Sequence, residues 1–453
     1  MLADHCLSFN SRSFFPGVKK QAEISDYYCM YRTLAKTLLF IILFAICAES
    51  QAQNNNEPTV LALSETGAYS ITERSDWRRY DNGRYTGLVR NEVRASIIPK
   101  PADIANGNLL YQGNFFVLQS TLRDMRQSAQ PVDAIIPVSF ELYTDGTIEI
   151  EDDRGFPMLR GFPTFPAQGV VPGFKWRAPG SRAVDPFNSG QPAVISFLAE
   201  YEYRGLEYYR DELVHRIFAV YASRYQNPAP GANNIVQIQG THRVDIMIRA
   251  EDGLLVFMRD ELDETYTMIN RSTVQFRGFT LTFGEGIVLM DRREVITSLG
   301  NILKIEDLPD PDVIILDQAA VTPIEIGIQD SSIGIIPVPE GIRLTIRDIR
   351  FVPDTAEFLP EERPRLDLIA EALKQIPNRT FLVEGHTAAV GLSDGEMELS
   401  IRRAERMVEE MVRRGISADR FIYKGWGGTR PIGDNSTNEG RAMNRRVEIT
   451  ILE

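Results

Sequence analysis

The sequence predicts a multidomain protein: β-rich N-terminal and middle domains followed by a smaller α/β domain with β-α-β-α-β order around a mixed sheet. Three observations predict it. The chain has 453 residues, more than a single hydrophobic core organises. Alternating apolar and polar residues, punctuated by hairpin dipeptides, run through its first two thirds. In the last quarter the apolar spacing changes to three and four, the period of helices laid on a sheet.

Residues 1–52 read as a targeting segment. The apolar run Leu38–Ala48 follows Arg32 and Lys36 and is closed by Ser50-Gln51-Ala52, the small-x-small pattern of a cleaved secretory signal. The run is too short to cross a bilayer as a helix. Met30 is the expected start of a signal spanning 30–52, with residues 1–29 an N-terminal extension. Cys47 raises the rival of lipid attachment, but Ile46 stands where such signals want Gly, Ala or Ser, so simple cleavage is expected. The protein is therefore expected in the periplasm, with outer-membrane association as a further option.

With 49 basic and 62 acidic residues the net charge is −13, which argues against a nucleic-acid partner. All three cysteines, Cys6, Cys29 and Cys47, fall in the targeting segment. The remainder has no thiol for a disulfide, a thiolate metal site or a cysteine nucleophile. His215, His242 and His386 form no H-E-x-x-H pattern, so no zinc site is expected. No catalytic motif, metal site or cofactor is indicated, and the protein reads as non-enzymatic.

Residues 53–190 open with the polar tether Gln53–Glu57 and continue β-rich. Asn82-Gly83, Asn106-Gly107, Asp145-Gly146 and Asp252-Gly253 favour hairpin turns. Val138, Phe140 and Leu142 before Asp145-Gly146, with Ile148 and Ile150 after it, make one face of a hairpin apolar. The Gly155–Gly180 stretch carries Phe156, Phe162, Phe165, Phe174 and Trp176 among prolines and reads as an irregular loop. These aromatics are expected to pin the loop to a core rather than to form a platform for sugar rings.

Residues 191–306 form a second β-rich segment, with strands over Ala193–Tyr203, Val214–Tyr225, Ile235–Ala250 and Leu254–Met258. Val244, Ile246 and Ile248 alternate with Asp245, Met247 and Arg249, the mark of a half-buried antiparallel strand. The pattern leaves a sandwich and a curved, partly closed barrel both open. A lipid-facing barrel is disfavoured because charges fall on irregular sides of the strands. Residues 307–340 are a Pro-rich connector with strand pairing of its own.

Residues 341–453 are the C-terminal domain. Ile342–Phe351 alternates as a strand. Leu366, Ile369, Leu373 and Ile376 form a helical stripe ended by Pro377. Phe381–Val383 is a buried strand. Met397, Ile401, Ala404, Val408 and Met411 line a second helix, closed by Gly415. Phe421–Tyr423 and Val447–Ile451 complete the sheet.

The motifs Gly385-His386-Thr387, Leu399-Ser400-Ile401-Arg402-Arg403-Ala404 and the closing stretch Asn435–Ile449 resemble the OmpA-like domain, a peptidoglycan-associating module. The resemblance covers roughly 341–453. It implies a site for the diamino acid of the peptidoglycan stem peptide, with an aspartate for the ammonium and an arginine fork for the carboxylate. Arg403 matches the arginine. The aspartate position is Ala388, with the spacing between the two intact. Glu396 replaces the family's Asn before Leu-Ser and has two readings: a relocated carboxylate, or the last residue of a capping box starting at Ser393. The resemblance also brings Thr387, Asn435 and Arg445 to the pocket, whereas Arg441, Asn444 and Arg446 are expected to hold the closing loop and strand. Arg403 has a second reading as one half of a surface ion pair with Glu396 or Glu410. His386 is expected to be structural.

The expected function is contact with, or anchoring to, peptidoglycan, with further envelope proteins as possible partners. Two alternatives stand: a scaffold that has lost wall binding while the β-rich part holds a protein, glycan or lipid, and a wall-active enzyme in the β-rich region.

Overall fold

A computed structural model describes residues 57–64, 67–100, 109–120, 129–186, 191–227, 234–314, 333–353 and 355–453. The targeting segment, Asn106-Gly107 and much of the connector lie outside the described residues.

Among the described residues, thirteen strands precede the first helix: β1 Tyr69–Asp81, β2 Arg84–Pro99, β3 Leu109–Ser120, β4 Gln130–Pro131, β5 Ala134–Leu142, β6 Ile148–Ile150, β7 Leu159–Arg160, β8 Lys175–Val184, β9 Ala193–Tyr209, β10 Glu212–Gln226, β11 Ile235–Arg249, β12 Leu255–Met268 and β13 Thr273–Gly286. Twelve of them form one antiparallel sheet in the order β6-β5-β3-β2-β1-β13-β12-β11-β10-β9-β8-β7. The segments expected as separate domains, 53–190 and 191–306, thus share a sheet, joined where β1 pairs with β13. That pairing links residues about two hundred positions apart, which no local pattern shows. The sheet curls into a nearly closed barrel, and beside its two edge strands Phe165 N–H donates to the Asp145 carbonyl at 2.7 Å. The partly closed barrel is the alternative the structure adopts.

Local signals explain the hairpins. Asn82 and Gly83 both have positive φ, 50° and 79°, as a two-residue turn between twisted strands requires. In β9 burial alternates residue by residue, with Ile195, Phe197, Ala199, Tyr201 and Tyr203 inward. The aromatic loop is pinned as expected: Phe165 is buried, Phe162 packs on Phe197 and Tyr201, and Trp176 stacks on Tyr201 at 5.0 Å. The outer wall carries ion pairs such as Arg74–Glu92, Arg90–Asp76 and Arg216–Asp245 among exposed apolar residues such as Leu198 and Leu206, a mixture that differs from the continuous apolar band of a lipid-facing barrel.

Inside the barrel, a polar layer divides the apolar clusters. Arg182 from β8 reaches Glu264 of β12 at 2.9 Å, and His242 of β11 holds Asp260 at 2.9 Å through Nδ1. Tyr221 stacks on His242 at 4.2 Å. Burial opposes charge on His242, but the Asp260 carboxylate overrides it and raises the imidazole pKa. Burial likewise opposes the Glu264 charge, and the Arg182 guanidinium overrides it, holding the carboxyl well below its usual range.

The C-terminal sheet has the order β14-β15-β18-β16-β17-β4, where β14 is Ile333–Val338, β15 Gly341–Arg347, β16 Phe381–Gly385, β17 Phe421–Gly425 and β18 Arg446–Leu452. β16 and β17 run parallel and the pairs β14–β15, β15–β18 and β16–β18 antiparallel, so the sheet is mixed. The connector contributes β14, an edge strand whose Pro337 suits that place. Helices α1 (Arg292–Leu303), α2 (Arg363–Lys374) and α3 (Ser393–Arg413) pack on one face, around Ile342, Leu344, Phe381, Val383, Val447 and Ile449. The α3 stripe holds at Ala404, Val408 and Met411, but Ile401 is 37% exposed and Met407 takes its place in the core. Gly415 ends the helix with φ 95°.

The other face of this sheet is covered by the barrel. Leu382, Ile422 and Leu452 pack against Phe116, Leu118 and Val132, and β4 adds a two-residue parallel edge to β17. A short helix, α4 (Asn438–Asn444), precedes β18.

Candidate functional site

The candidate site forms where β16 and β17 end side by side beneath α3. Gly385 and Gly425 pair across the two strands. Neither position has room for a side chain: a Cβ on Gly385 would strike the Ser400 carbonyl, and one on Gly425 the Ser400 hydroxyl. Ser400 is fully buried. Its hydroxyl donates to the Met397 carbonyl at 2.7 Å and accepts the Gly427 N–H at 2.8 Å, locking the loop after β17 to the helix.

Hydrogen bonds knit the loops above into one rim. Thr387 N–H donates to the Gly427 carbonyl at 2.9 Å. Ala389 N–H donates to Asn435 Oδ1 at 3.0 Å, and Asn444 Nδ2 donates to the same oxygen at 2.9 Å. Asn444 Oδ1 accepts the N–H groups of Ile432 and Gly433. Asn444 therefore holds the closing loop, and Arg441 assists by donating to the Asn435 carbonyl at 2.7 Å.

Glu396 organises the turn before α3. Its Oε1 accepts from Val390 N–H at 2.6 Å, Gly391 N–H at 3.1 Å and Leu392 N–H at 3.3 Å. The capping box expected at Ser393 is displaced. The helix begins with Leu392 as N-cap and no side-chain cap bond, because the carboxylate reaches past Ser393 to the three preceding donors. Its other oxygen faces the 427–428 turn, where a Cβ on Gly428 would come within 2.9 Å of it.

Arg403 lies two turns further along α3 and is buried, 8% exposed. Its guanidinium stacks over the Phe351 ring at 4.4 Å and donates through Nε to the Thr355 carbonyl at 3.3 Å. The turn that presents this carbonyl is braced by Phe351 stacking on Phe358 at 4.5 Å. The surface ion pair considered for Arg403 does not form with Glu410, which pairs with Arg406, Arg413 and Arg414. Ala388 is buried, and Arg445 is exposed just before β18. The structure thus brings Thr387, Glu396 and Asn435 onto one rim and seats Arg403 against the 351–355 turn. The Thr387 hydroxyl is buried without a hydrogen-bond partner among the described residues.

Beneath the rim lies a buried ion cluster. Arg446 Nε donates to Glu448 Oε1 at 2.6 Å, Arg343 approaches Glu448 Oε2 at 3.4 Å, and His386 Nε2 is 3.6 Å from the same oxygen. Burial pushes the Glu448 carboxyl up, but His386, Arg446 and Arg343 override it and hold it well below its usual range. Burial lowers the His386 pKa, and neither ring nitrogen has a hydrogen-bond partner among the described residues. On β18 the sequence alternates Arg446, Glu448 and Thr450 with Val447, Ile449 and Ile451. That signal marks a polar face, which the tertiary fold then covers.

Residues 350–445 match the model of the OmpA family. Outer membrane protein A of Bordetella avium is 37% identical over 117 residues, which are 26% of this chain and 60% of that protein. The peptidoglycan-binding protein ArfA of Mycobacterium tuberculosis is 36% identical over 103 residues, 23% of this chain and 32% of that protein. Among solved structures, the cell wall anchor of the T6SS from Pseudomonas aeruginosa is 31% identical, covering 27% of this chain and 87% of that one, with a TM-score of 0.25. The chain spans between about a third and three fifths of the length of these two curated relatives.

Proposed function

From the OmpA family domain at residues 350–445, we propose that this chain contacts or anchors to peptidoglycan at the periplasmic face of the envelope, using the Thr387–Glu396–Asn435 rim with Arg403 and Arg445. The relatives share this domain, and the name of one of them states peptidoglycan binding. The observation that carries the reading is the rim itself. Three loops are tied by charge-assisted and backbone hydrogen bonds around a buried hydroxyl that lacks a partner among the described residues. Such a rigid polar edge loses little order on gripping a zwitterionic ligand.

The ligand is the diamino acid of the stem peptide. Arg403 faces its carboxylate, and Arg445 is a second cation at the mouth. The ammonium lacks the family's aspartate at Ala388. A charge-assisted contact of about 2 to 4 kcal/mol is missing, which lowers affinity roughly thirty- to thousand-fold. Glu396 shapes the loop and, through the oxygen facing Gly428, is the nearest replacement charge.

Co-sedimentation of the intact chain with purified sacculi tests this. Pelleting is expected, with competition by the free diamino acid and weaker pelleting for Arg403→Lys, which keeps the charge but loses the planar fork. A chain that stays in the supernatant, or pellets equally well as Arg403→Lys and Arg445→Ala, refutes the assignment.

A further inference from the structure

The outer wall of the barrel changes character near the β10–β11 end. Elsewhere it mixes ion pairs with exposed apolar residues such as Leu198 and Leu206, but here most outward side chains are amides and hydroxyls. Cross-strand register places Arg224 beside Gln239, Gln239 beside Thr265, and Thr265 beside Gln275. It then places Gln275 beside Tyr80 and Tyr80 beside Tyr85. One row crosses six strands, a span of about 24 Å at roughly 4.8 Å per strand. Its first half floors an open groove of about 940 Å3 that Gln226, Gln237, Thr241 and Asp263 also line.

The groups in this groove are not engaged with one another. Among the described residues, the side chains of Arg224, Gln226, Gln237, Gln239, Thr241 and Thr265 make no hydrogen bond or ion pair. Asp263 is the exception: Gln275 Nε2 donates to it at 2.6 Å and Arg277 Nε approaches at 3.0 Å, so the groove's carboxylate is already compensated. At the far end Tyr80 and Tyr85 pack edge to face at 5.6 Å, Arg277 lies over the Tyr80 ring, and Tyr85 is 54% exposed.

We infer that this row is a binding surface for a neutral glycan chain bearing hydroxyl and amide groups. Each glutamine offers both a donor and an acceptor, the pair that a sugar hydroxyl or an acetamido group needs. With Asp263 neutralised, Arg224 is the one uncompensated charge in a groove otherwise lined by neutral amides and hydroxyls, and its guanidinium N–H groups also serve as donors to sugar hydroxyls. A lipid or a standard protein partner would need an apolar centre, and the outward side chains lining the groove are polar apart from Ala222. The exposed Tyr85 ring closes the row with a flat face on which a sugar ring stacks. This surface lies on the barrel and is independent of the C-terminal rim.

Saturation-transfer NMR on the intact chain tests it, with two uncharged probes that carry no peptide: chitotetraose, which has acetamido groups, and cellotetraose, which has hydroxyls alone. Transfer to chitotetraose is expected, and affinity should fall about tenfold in Gln239→Ala and in Tyr85→Ala, the loss of roughly one good contact. Both side chains are exposed, so thermal unfolding of the variants should match the parent. Transfer to chitotetraose alone assigns recognition to the acetamido group, and transfer to both probes assigns it to the hydroxyls. No transfer to either at millimolar concentration, or unchanged affinity in both variants, overturns the inference. Arg445→Ala should leave the transfer intact while weakening sacculus pelleting, so the two readings fail separately.

Discussion

Replacing Arg182 by methionine tests the polar layer inside the barrel. Methionine fills similar space and removes the charge. In the parent, the Arg182 guanidinium lies 2.9 Å from Glu264, whose side chain is 1% exposed. His242, raised in pKa, lies 2.9 Å from Asp260 and 3.4 Å from Glu264, so the substitution leaves two buried carboxylates sharing one imidazole. Breaking a buried pair in this way costs about 3 to 5 kcal/mol. The cost depends on pH with a definite sign. In the parent, Glu264 is held well below its usual range, so its stabilisation is present above the unfolded value and lost only in acid. In Arg182→Met, burial of Glu264 is opposed only by the His242 and Ser223 contacts, so the same carboxyl rises, accepts a proton as pH falls and sheds the penalty. Urea unfolding followed by circular dichroism should therefore show the full deficit at pH 7.5 and a clearly smaller one at pH 5. Arg182→Met with Glu264→Gln should recover most of the loss. An equal deficit at both pH values, or a double variant no better than the single one, refutes the account.

Four further outcomes follow from the same physics. Burial raises the Glu73 carboxyl to about 7 against the pull of Arg182; the folded chain then binds a proton that the unfolded chain releases near 4.5. Stability should fall by up to about 3 kcal/mol between pH 4.5 and 7, and Glu73→Gln should flatten that slope in urea titrations. Ala388→Asp should raise sacculus affinity by roughly thirty-fold or more if the ammonium of the ligand lies there; unchanged pelleting would place the ligand elsewhere. Leu118→Ala should cost about 2 to 5 kcal/mol, because Leu118 is 1% exposed against Leu382, Ile422 and Leu452. By the same argument a fragment starting at residue 341 should bind a hydrophobic dye that the intact chain does not.

The C-terminal domain was legible because its signals are local. The helical stripe Leu366, Ile369, Leu373 and Ile376 needs only the 3.6-residue period, and all four are buried. The Gly385-His386-Thr387 and Arg403 motifs lie on elements that the same periodicity places. The barrel was legible strand by strand but not as one sheet. β1 carries Glu73, Arg74, Asp76, Arg78 and Arg79, which hide its alternation, and its partner β13 is distant in sequence. The orientation of Glu396 was missed for a subtler reason. A capping pattern specifies which residue bonds backward, whereas the loop's path decided that Val390, Gly391 and Leu392, not Ser393, present the donors.

By itself the sequence determined the two kinds of architecture and the absence of thiols after residue 52, and its motifs supplied the resemblance from which the Ala388 and Arg403 site is proposed. Periodicity, composition and motif spacing are properties of neighbours along the chain. Only the tertiary structure decided that the two β-rich segments close into one barrel, that the barrel seals the second face of the C-terminal sheet, and that Arg182, His242, Asp260 and Glu264 meet inside it. Those outcomes rest on contacts between residues far apart in sequence, which form only when burial of apolar surface brings distant strands together.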